Sequence, residues 1–568
     1  MLRIPPEKLK ELVVKEGLID PATFDLLSLE AQRLGQNMSD VLISRNIITS
    51  SYLAGLLGRY FNVAAANLQA VSIDENILRL LPEDLARQKR VILFGRESDD
   101  LISAAMEDPS NLETIEFLER YLKSKIRPYL AIESDLNKGF SLYGKKLSED
   151  FKKAIEAYIA ESLRLGGRGA EAAGEVPIVA IIDNLIAYAA SLRASDIHLE
   201  IFEDSILIRY RIDGVLQEVI KMPKDVHAAL TARLKLLAGL KIDEHFKPQD
   251  GRFRQKVGTD ILDIRVAVIP TYYGEKIEMR LLPATQRPLS LEELGMFEET
   301  AKLVLENIKK SYGMVLVCGP TGSGKTTTLY SLLGILNRPQ VNIVTVEDPI
   351  EYDVKYINQT QINPAAGVTF ANGLRAILRQ DPNIIMVGEI RDDETAEISV
   401  QSALTGHLVL SSLHTNDATT AVPRLLDMGI LPYLVSAVLN AVLSQRLVRK
   451  ICPTCIYSSE PTAEEIEALR GQTKELGLEE KFRPPKFIYA GKGCPACGGS
   501  GYRGRLGIFE VLNVSEGIRK SIISPDFSLD LLKKEALKEG MTTMFEDGLK
   551  KIEKGLTTVE ELLRVIRE

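Results

Sequence analysis

Eight consecutive residues, Gly319-Pro320-Thr321-Gly322-Ser323-Gly324-Lys325-Thr326, follow the spacing G-x-x-x-x-G-K-[ST] of a phosphate-binding loop. Its glycines let successive backbone N–H groups converge on phosphate oxygens. The helix expected from Thr327 to 336 adds its positive N-terminal end. Lys325 suits the β- and γ-phosphates, and the Thr326 hydroxyl suits Mg²⁺. Such a loop needs carboxylates for metal and water. Two groups stand at the ends of the next apolar strands, where ligands collect in open α/β sheets: Glu347-Asp348-Pro349-Ile350-Glu351, and Glu389 after Gly388. Many P-loop enzymes carry an Asp before that second Glu. Gly388 occupies the position here, so Glu389 is expected in the metal shell and Glu351 or Glu347 beside the attacking water. His407 and His414 are two of only five histidines and bracket the apolar run HLVLSSLH. Both are expected to sense a γ-phosphate by hydrogen bond.

A second chemistry lies further along. Cys452-Pro-Thr-Cys455 and Cys494-Pro-Ala-Cys497 are two C-x-x-C pairs. Each can form a knuckle supplying two thiolates, and together they make a closed tetrahedral site that suits structural Zn²⁺. A closed site leaves no position for water, so its expected role is stability. Cys318, in the strand before the phosphate loop, is expected to be a buried core residue.

These residues need elements to position them. The chain has 568 residues, a net charge of −8, 45% hydrophobic and 26% charged residues, which is ordinary globular usage for about four domains. No apolar run approaches the roughly 20 residues that span a bilayer, and the start lacks the apolar core of a signal peptide, so a cytoplasmic protein is expected. The acidic balance and the absence of tryptophan weigh against a nucleic-acid partner. Residues 1–145 are expected to be a helical N-terminal domain. LVVKEGLID (12–20) resembles VLISRNIIT (41–49), suggesting two similar helical hairpins. A linker is expected over 146–175, where GGRGAEAAGE is small and polar. Residues 176–285 read as a small α+β lobe, with a hairpin at Asp213-Gly214 and alternating strands over 261–270 and 276–283. From 286 to 568, short apolar strands alternate with helices, which predicts an α/β domain with a parallel sheet covered on both faces. A zinc insert at 450–510 and a helical C-terminal tail complete it.

Taken together, ASDIHLE (194–200), RYRIDGVL (209–216), PQDGRF (248–253), GPTGSGKTTTLY (319–330), TVEDPIEY (345–352), GLRAILRQDPNIIMVGEIRDDETA (373–396), TGHLVLSSLHTNDA (405–417) and the two cysteine pairs resemble the PilB/GspE family of secretion ATPases. The resemblance implies a RecA-like P-loop domain with a smaller PAS-like α+β N-lobe and a homo-hexameric ring that binds ATP between lobes. It implies an ATP hydrolase that drives type IV pilus assembly through an inner-membrane platform protein. The alternative is a type II secretion ATPase, and a nucleic-acid translocase is the lesser rival. It places Glu351 in an acidic catalytic box, Glu389 in the Walker B box, and His407 and His414 in the His box. It matches Arg265 and Arg280 to family arginines of the N-lobe, and Arg375, Arg379 and Arg391 to those of the second lobe, whose planar forks suit phosphoryl oxygens. Some members bind cyclic di-GMP at the N-terminal domain through a repeated Arg-Leu-Gly-x-x-Leu motif. Here Arg33-Leu34-Gly35 occurs once, Met38-Ser39 stand where the second copy has Leu-Gly, and Arg3-Ile4-Pro5 stand where the first would lie. Docking to the platform partner is the simpler expectation for this domain.

Overall fold

The computed structural model describes residues 6–34, 38–44, 47–68, 70–98, 100–165, 176–258, 260–283, 287–351, 353–475, 482–494 and 497–567. The chain divides into two compact units. One comprises Met1–Ala284 with Ile451–Glu460 and Tyr489–Arg503; the other comprises Thr285–Lys450 with Pro461–Ile488 and Gly504–Glu568.

The first unit opens with α1 (Pro6–Lys15), α2 (Pro21–Leu34), α3 (Met38–Ser44) and α4 (Ser50–Phe61). The internal repeat explains their pairing. Each copy ends one helix and caps the next. Asp20 accepts the N–H groups of Ala22 and Thr23 at 3.1 and 3.0 Å, and Thr49 accepts that of Tyr52 at 3.3 Å. Val13 and Leu42, equivalent in the repeat, enter one core with Phe24, Leu53 and Leu57.

The region that follows departs from the helical expectation. After α5 (Glu75–Leu78) and α6 (Glu83–Lys89) come β1 (Val91–Ser98), β2 (Leu101–Met106), α7 (Leu112–Leu122) and β3 (Lys125–Leu130). The strands form one sheet in the order β1-β2-β3, with β1/β2 antiparallel and β2/β3 parallel. The central strand, LISAAM, is almost wholly buried. A strand covered on both faces shows neither helical nor alternating periodicity, so its short apolar run carries little pattern. The expected linker is also corrected. α8 (Glu133–Leu165) continues through 146–165 because Phe151, Ile155 and Ile159 recur every four residues and are buried in the core shared with α9 (Val176–Ser191). Residues 166–175 lie outside the described residues.

A six-stranded antiparallel sheet follows in this unit: β4 (Asp196–Ile201), β5 (Ser205–Ile212), β6 (Val215–Pro223), β7 (Gln249–Val257), β8 (Asp260–Thr271) and β9 (Gly274–Pro283), in the order β6-β5-β4-β9-β8-β7. The β5–β6 turn is Asp213-Gly214 with φ of 49° and 89°, the left-handed pair that a two-residue hairpin requires. One face, with Ile197, Leu199, Ile264, Val266, Ile277 and Met279, packs against α9 and α10 (His227–Leu237). The other face is charged.

In the second unit, α11 (Glu298–Ile308) leads into β10 (Gly313–Cys318), α12 (Lys325–Leu336), β11 (Ile343–Glu347), β12 (Ile357–Gln361), α13 (Phe370–Ile377), β13 (Ile384–Val387), α14 (Asp393–Leu404), β14 (Leu408–Leu413), α15 (Ala421–Asp427), α16 (Pro432–Val438) and β15 (Leu439–Ile451). The chain then forms β16 (Ile456–Ser459), α17 (Ala463–Glu475) and β17 (Ile488–Gly491), with β16 and β17 as a two-stranded sheet. It returns through β18 (Tyr502–Asn513) to α18 (Glu516–Ile523), α19 (Leu529–Lys538), α20 (Met544–Glu553) and α21 (Val559–Arg567). The large sheet runs β12-β11-β13-β14-β10-β15-β18, and its first six strands are parallel. Alternate residues of β10 feed two separate cores: Met314, Leu316 and Cys318 on one side, Val315 and Val317 on the other. A sheet covered by helices on both faces therefore explains why these strands read as continuous apolar runs, and Cys318 takes its place in the core.

Candidate nucleotide and metal sites

Parallel strands put their carboxyl ends at one edge of the sheet. Four connections leave from this edge: the phosphate loop after Cys318, Glu347 at the end of β11, Gly388-Glu389 after β13, and His414 after β14. Gly388 donates its N–H to the Val346 carbonyl at 2.8 Å and accepts from Ser412 Oγ at 2.8 Å, and Ile390 donates its N–H to the Ser412 carbonyl at 3.0 Å, so the residues on both sides of Glu389 are held.

The loop is closed from behind by Gln445 of β15. A Cβ at Gly319 (φ 144°) would stand 2.5 Å from the Gln445 carbonyl oxygen and 2.6 Å from Ser323 Oγ; one at Gly324 (φ 89°) would stand 2.8 Å from Gln445 Nε2. The glycines therefore serve both backbone conformation and close approach. Thr328 Oγ1 locks the arrangement by donating to Gln445 Oε1 at 2.5 Å. Ser323 Oγ is buried without a hydrogen-bond partner among the described residues, an unmatched donor suited to a phosphate oxygen. Lys325 Nζ donates to the carbonyls of Gly319 and Pro320 at 2.9 and 3.0 Å. Burial pulls this ammonium below its ordinary pKa, against the opposing charge of Glu389. Thr326 is exposed at the helix start and Thr327 is half-buried beside it; Pro320, Thr321 and Gly322 form the exposed rim.

Glu389, Arg391 and His414 form one hydrogen-bonded group. His414 Nε2 lies 2.8 Å from Glu389 Oε2, and Arg391 pairs with Glu389 Oε1. Burial pushes the Glu389 carboxyl up, but the Arg391 and His414 contacts outweigh it and hold it below the usual carboxylate range. Glu389 and Asp348 in turn raise the Arg391 guanidinium. Glu347 is buried, and its carboxylate accepts from Thr345 Oγ1 at 2.6 Å, Gln359 Nε2 at 3.0 Å and Tyr330 Oη. Glu351 stands half-buried on the connection that follows, where Gln359 Oε1 accepts the Val354 N–H at 3.0 Å.

The other expected residues lie elsewhere. His407 precedes β14 at its amino end, where Nδ1 contacts the Ser402 carbonyl at 2.9 Å and Thr405 Oγ1 at 3.2 Å. A strand rises about 3.3 Å per residue, so His407 and His414 are roughly 20 Å apart at opposite edges of the sheet. The paired sensing role is corrected accordingly: within one chain only His414 belongs to the phosphate edge. Arg375 pairs with Glu394 at 2.6 Å, and Arg379 donates to the Arg375 carbonyl at 3.0 Å. In the first unit, the ladder sets Arg252 opposite Arg265, Arg265 opposite Arg280, Arg280 opposite Asp196 and Asp196 opposite Arg211. This makes one charged row. Arg280 Nε donates to Asp196 at 2.9 Å. Gln445 had no signal in the sequence, because β15 was not legible as a strand.

All four paired cysteines converge, with every Sγ within 4.8 Å of the others. The Sγ separations are 3.8 Å for Cys452–Cys494, 3.9 Å for Cys455–Cys497 and 3.7 Å for Cys494–Cys497. A tetrahedron with metal–sulfur bonds near 2.3 Å has edges of about 3.8 Å, so the donor set fits a four-coordinate thiophilic ion. Arg3-Ile4-Pro5, Gly35 and the side chains of Arg33 and Leu34 lie outside the described residues.

Residues 171–564 match the family model described as Type II/IV secretion system protein, and residues 57–149 match the MshEN domain. The type IV pilus assembly ATPase PilB of Myxococcus xanthus is 40% identical over 569 residues, covering 98% of each chain. A type II secretion system protein E of Pectobacterium carotovorum is 40% identical over 500 residues, covering 86% of this chain and 97% of its own. The X-ray structure of the Legionella pneumophila ATPase DotB shares the fold at 21% identity, with a TM-score of 0.50 over 67% of this chain and 94% of its own. No helix among the described residues is long and apolar enough to cross a membrane. With its phosphate loop, its carboxylate edge and a family match across 171–564, the chain belongs to the type II/IV secretion system proteins and is an ATP hydrolase.

Proposed function

We propose that this chain is the motor of type IV pilus assembly, acting as a homo-hexamer on an inner-membrane platform protein at the cytoplasmic face. The observation that carries the motor reading is the group Glu389, Arg391 and His414 at the edge from which the phosphate loop departs. In this reading Lys325 and the N–H groups of residues 319–326 hold the β- and γ-phosphates, with Thr327 beside them. Thr326 and Glu389 hold Mg²⁺, which supplies charge neutralisation when bound. His414 and Arg391 contact the γ-phosphate. The 347–351 segment orients water, from Glu351 or from Glu347. Arg265, Arg280, Arg375 and Arg379 are proposed as further phosphate-neutralising arginines. Catalysis then rests on positioning and charge stabilisation.

The four cysteines hold structural Zn²⁺ in this proposal, and the N-terminal region docks to the platform partner. Its MshEN match keeps cyclic di-GMP as a candidate ligand there. Pilus assembly is preferred because the Myxococcus xanthus relative aligns with 98% of this chain, N-terminal region included. Type II secretion is the second reading, favoured by relatives such as the protein E of Pseudomonas aeruginosa, 46% identical over 74% of this chain. Complementation separates them: the chain restores pili to a strain lacking its pilus-assembly ATPase, and restored secretion alone reverses the choice. Lys325→Ala abolishes ATP turnover without changing Tm; retained steady-state hydrolysis refutes the assignment.

A further inference from the structure

Glu510, on β18, is a buried carboxylate, 4% exposed, that the nucleotide group does not use. One of its oxygens accepts the Ala418 N–H at 2.9 Å, and the other accepts the Met544 N–H at 3.4 Å. These donors belong to distant parts of the chain. Ala418 lies four residues after His414, and Met544 is the first residue of α20. Burial pushes the Glu510 carboxyl above its ordinary pKa and Asp417 adds to that, while the two N–H donors oppose it. A buried carboxylate is costly unless such donors compensate it.

The loop between His414 and Glu510's contact is braced by its own side chains and by Ser444 of β15. Asp417 Oδ1 accepts from Thr419 Oγ1 at 2.9 Å and from the Thr420 N–H at 2.8 Å. Thr415 Oγ1 donates to the Asp417 carbonyl at 3.1 Å, and Ser444 Oγ donates to the Asn416 carbonyl at 3.3 Å. Glu510 therefore fixes the Ala418 end of a braced loop that begins at His414, while Ser444 of β15 holds its middle. The other end of the tie is a longer bond, at 3.4 Å, reinforced by its neighbour. The neighbouring strand residue, Phe509, donates its N–H to Asp547 Oδ2 at 2.8 Å, so β18 grips α20 at two successive positions.

We infer that Glu510 is a positioning residue: it holds the 414–418 loop so that His414 keeps its place against Glu389, and it ties that place to helix α20. The inference rests on the reading that His414 contacts the γ-phosphate. Displacing α20, by a partner or a neighbouring subunit, then changes turnover through a single side chain.

The test is Glu510→Gln, whose amide oxygen replaces one acceptor while its NH₂ faces the other N–H. Losing one hydrogen bond to a charged group predicts a fall in kcat of about tenfold with KM for ATP within about twofold. In the His414→Ala background the same change lowers kcat by less than about twofold, because the tie then has nothing to position. An unchanged kcat in Glu510→Gln, or a loss that multiplies fully with His414→Ala, overturns the proposal. If His414→Ala alone leaves kcat intact while Glu510→Gln lowers it, the reading of His414 fails and Glu510 acts by another route. Amide exchange provides a second measurement should Glu510→Gln fold poorly. Glu510→Asp, one methylene too short to span both donors, exposes the 414–420 amides to faster exchange; unchanged protection there refutes the tie.

Discussion

Removing the proposed Zn²⁺ ion gives the most quantitative test of how the chain is held together. The two knuckles are joined to a sheet of two four-residue strands, β16 and β17. A two-stranded sheet is marginal in water without further support. Structural zinc, in contrast, contributes on the order of 10–16 kcal/mol of apparent binding free energy at neutral pH. The ion is therefore expected to dominate the local stability of residues 451–460 and 489–503. Cys497 is the most sensitive position. Its sulfur accepts the N–H groups of Cys494 and Gly501 at 3.1 and 3.3 Å, so it orders the second knuckle as well as ligating. Cys497→Ala, or exhaustive chelation, is expected to remove one zinc per chain and to raise amide exchange across both segments by at least 100-fold, about 2.7 kcal/mol of local stability. The strands β10, β11, β13 and β14 have their own two cores and keep their protection. Metal analysis and hydrogen exchange read both quantities. Zinc-free protein with four titratable thiols and unchanged protection refutes the reasoning. So does loss of protection throughout the large sheet, since the knuckle would then support far more than its own segments.

Further outcomes follow from particular contacts. His414→Gln lowers kcat at least tenfold, whereas His407→Gln changes it less than about threefold if His407 serves only the amino end of β14; equal losses contradict the separation of the two edges. Asp547→Asn leaves Lys551 buried beside a neutral partner, and thermal or urea unfolding should show a loss of about 3–5 kcal/mol. Glu561 is pushed up by burial, but its contacts with Arg564 and Arg449 outweigh this and bring it down to about 2. Because its folded pKa lies below the unfolded one, its stabilisation is complete above the ordinary carboxylate range and is lost as pH falls from about 4.3 towards 2. Glu561→Gln should flatten that part of the stability–pH curve, and an unaltered acid limb would contradict the assignment.

Legibility in the sequence follows from how local each determinant is. The phosphate loop, the Asp213-Gly214 turn and the cysteine knuckles depend on residues within a few positions of one another, so spacing alone exposed them. The helical repeat was legible from the matched apolar positions of its two segments, while the equivalent caps Asp20 and Thr49 emerged only from the structure. The β1–β3 sheet escaped because a strand buried on both faces has no period. β15 escaped although it supplies Gln445, since a loop's backing residue is chosen by the fold and lies more than a hundred positions from the loop it closes.

What the sequence determined by itself is the chemistry: a phosphate cradle, carboxylates at strand ends, a thiolate site and the family to which these belong. The tertiary structure decided which of those groups meet. Strand direction separates His407 from His414, although both flank one short run, because a parallel sheet gathers only carboxyl ends at its binding edge. It seats Glu347 among three donors and leaves Glu351 on the connection beyond. It also brings Glu510 to Ala418 and Met544, three residues with no common spacing. Contacts of that kind arise from packing between elements distant in the chain, and they decide which of many acidic residues acts on the site.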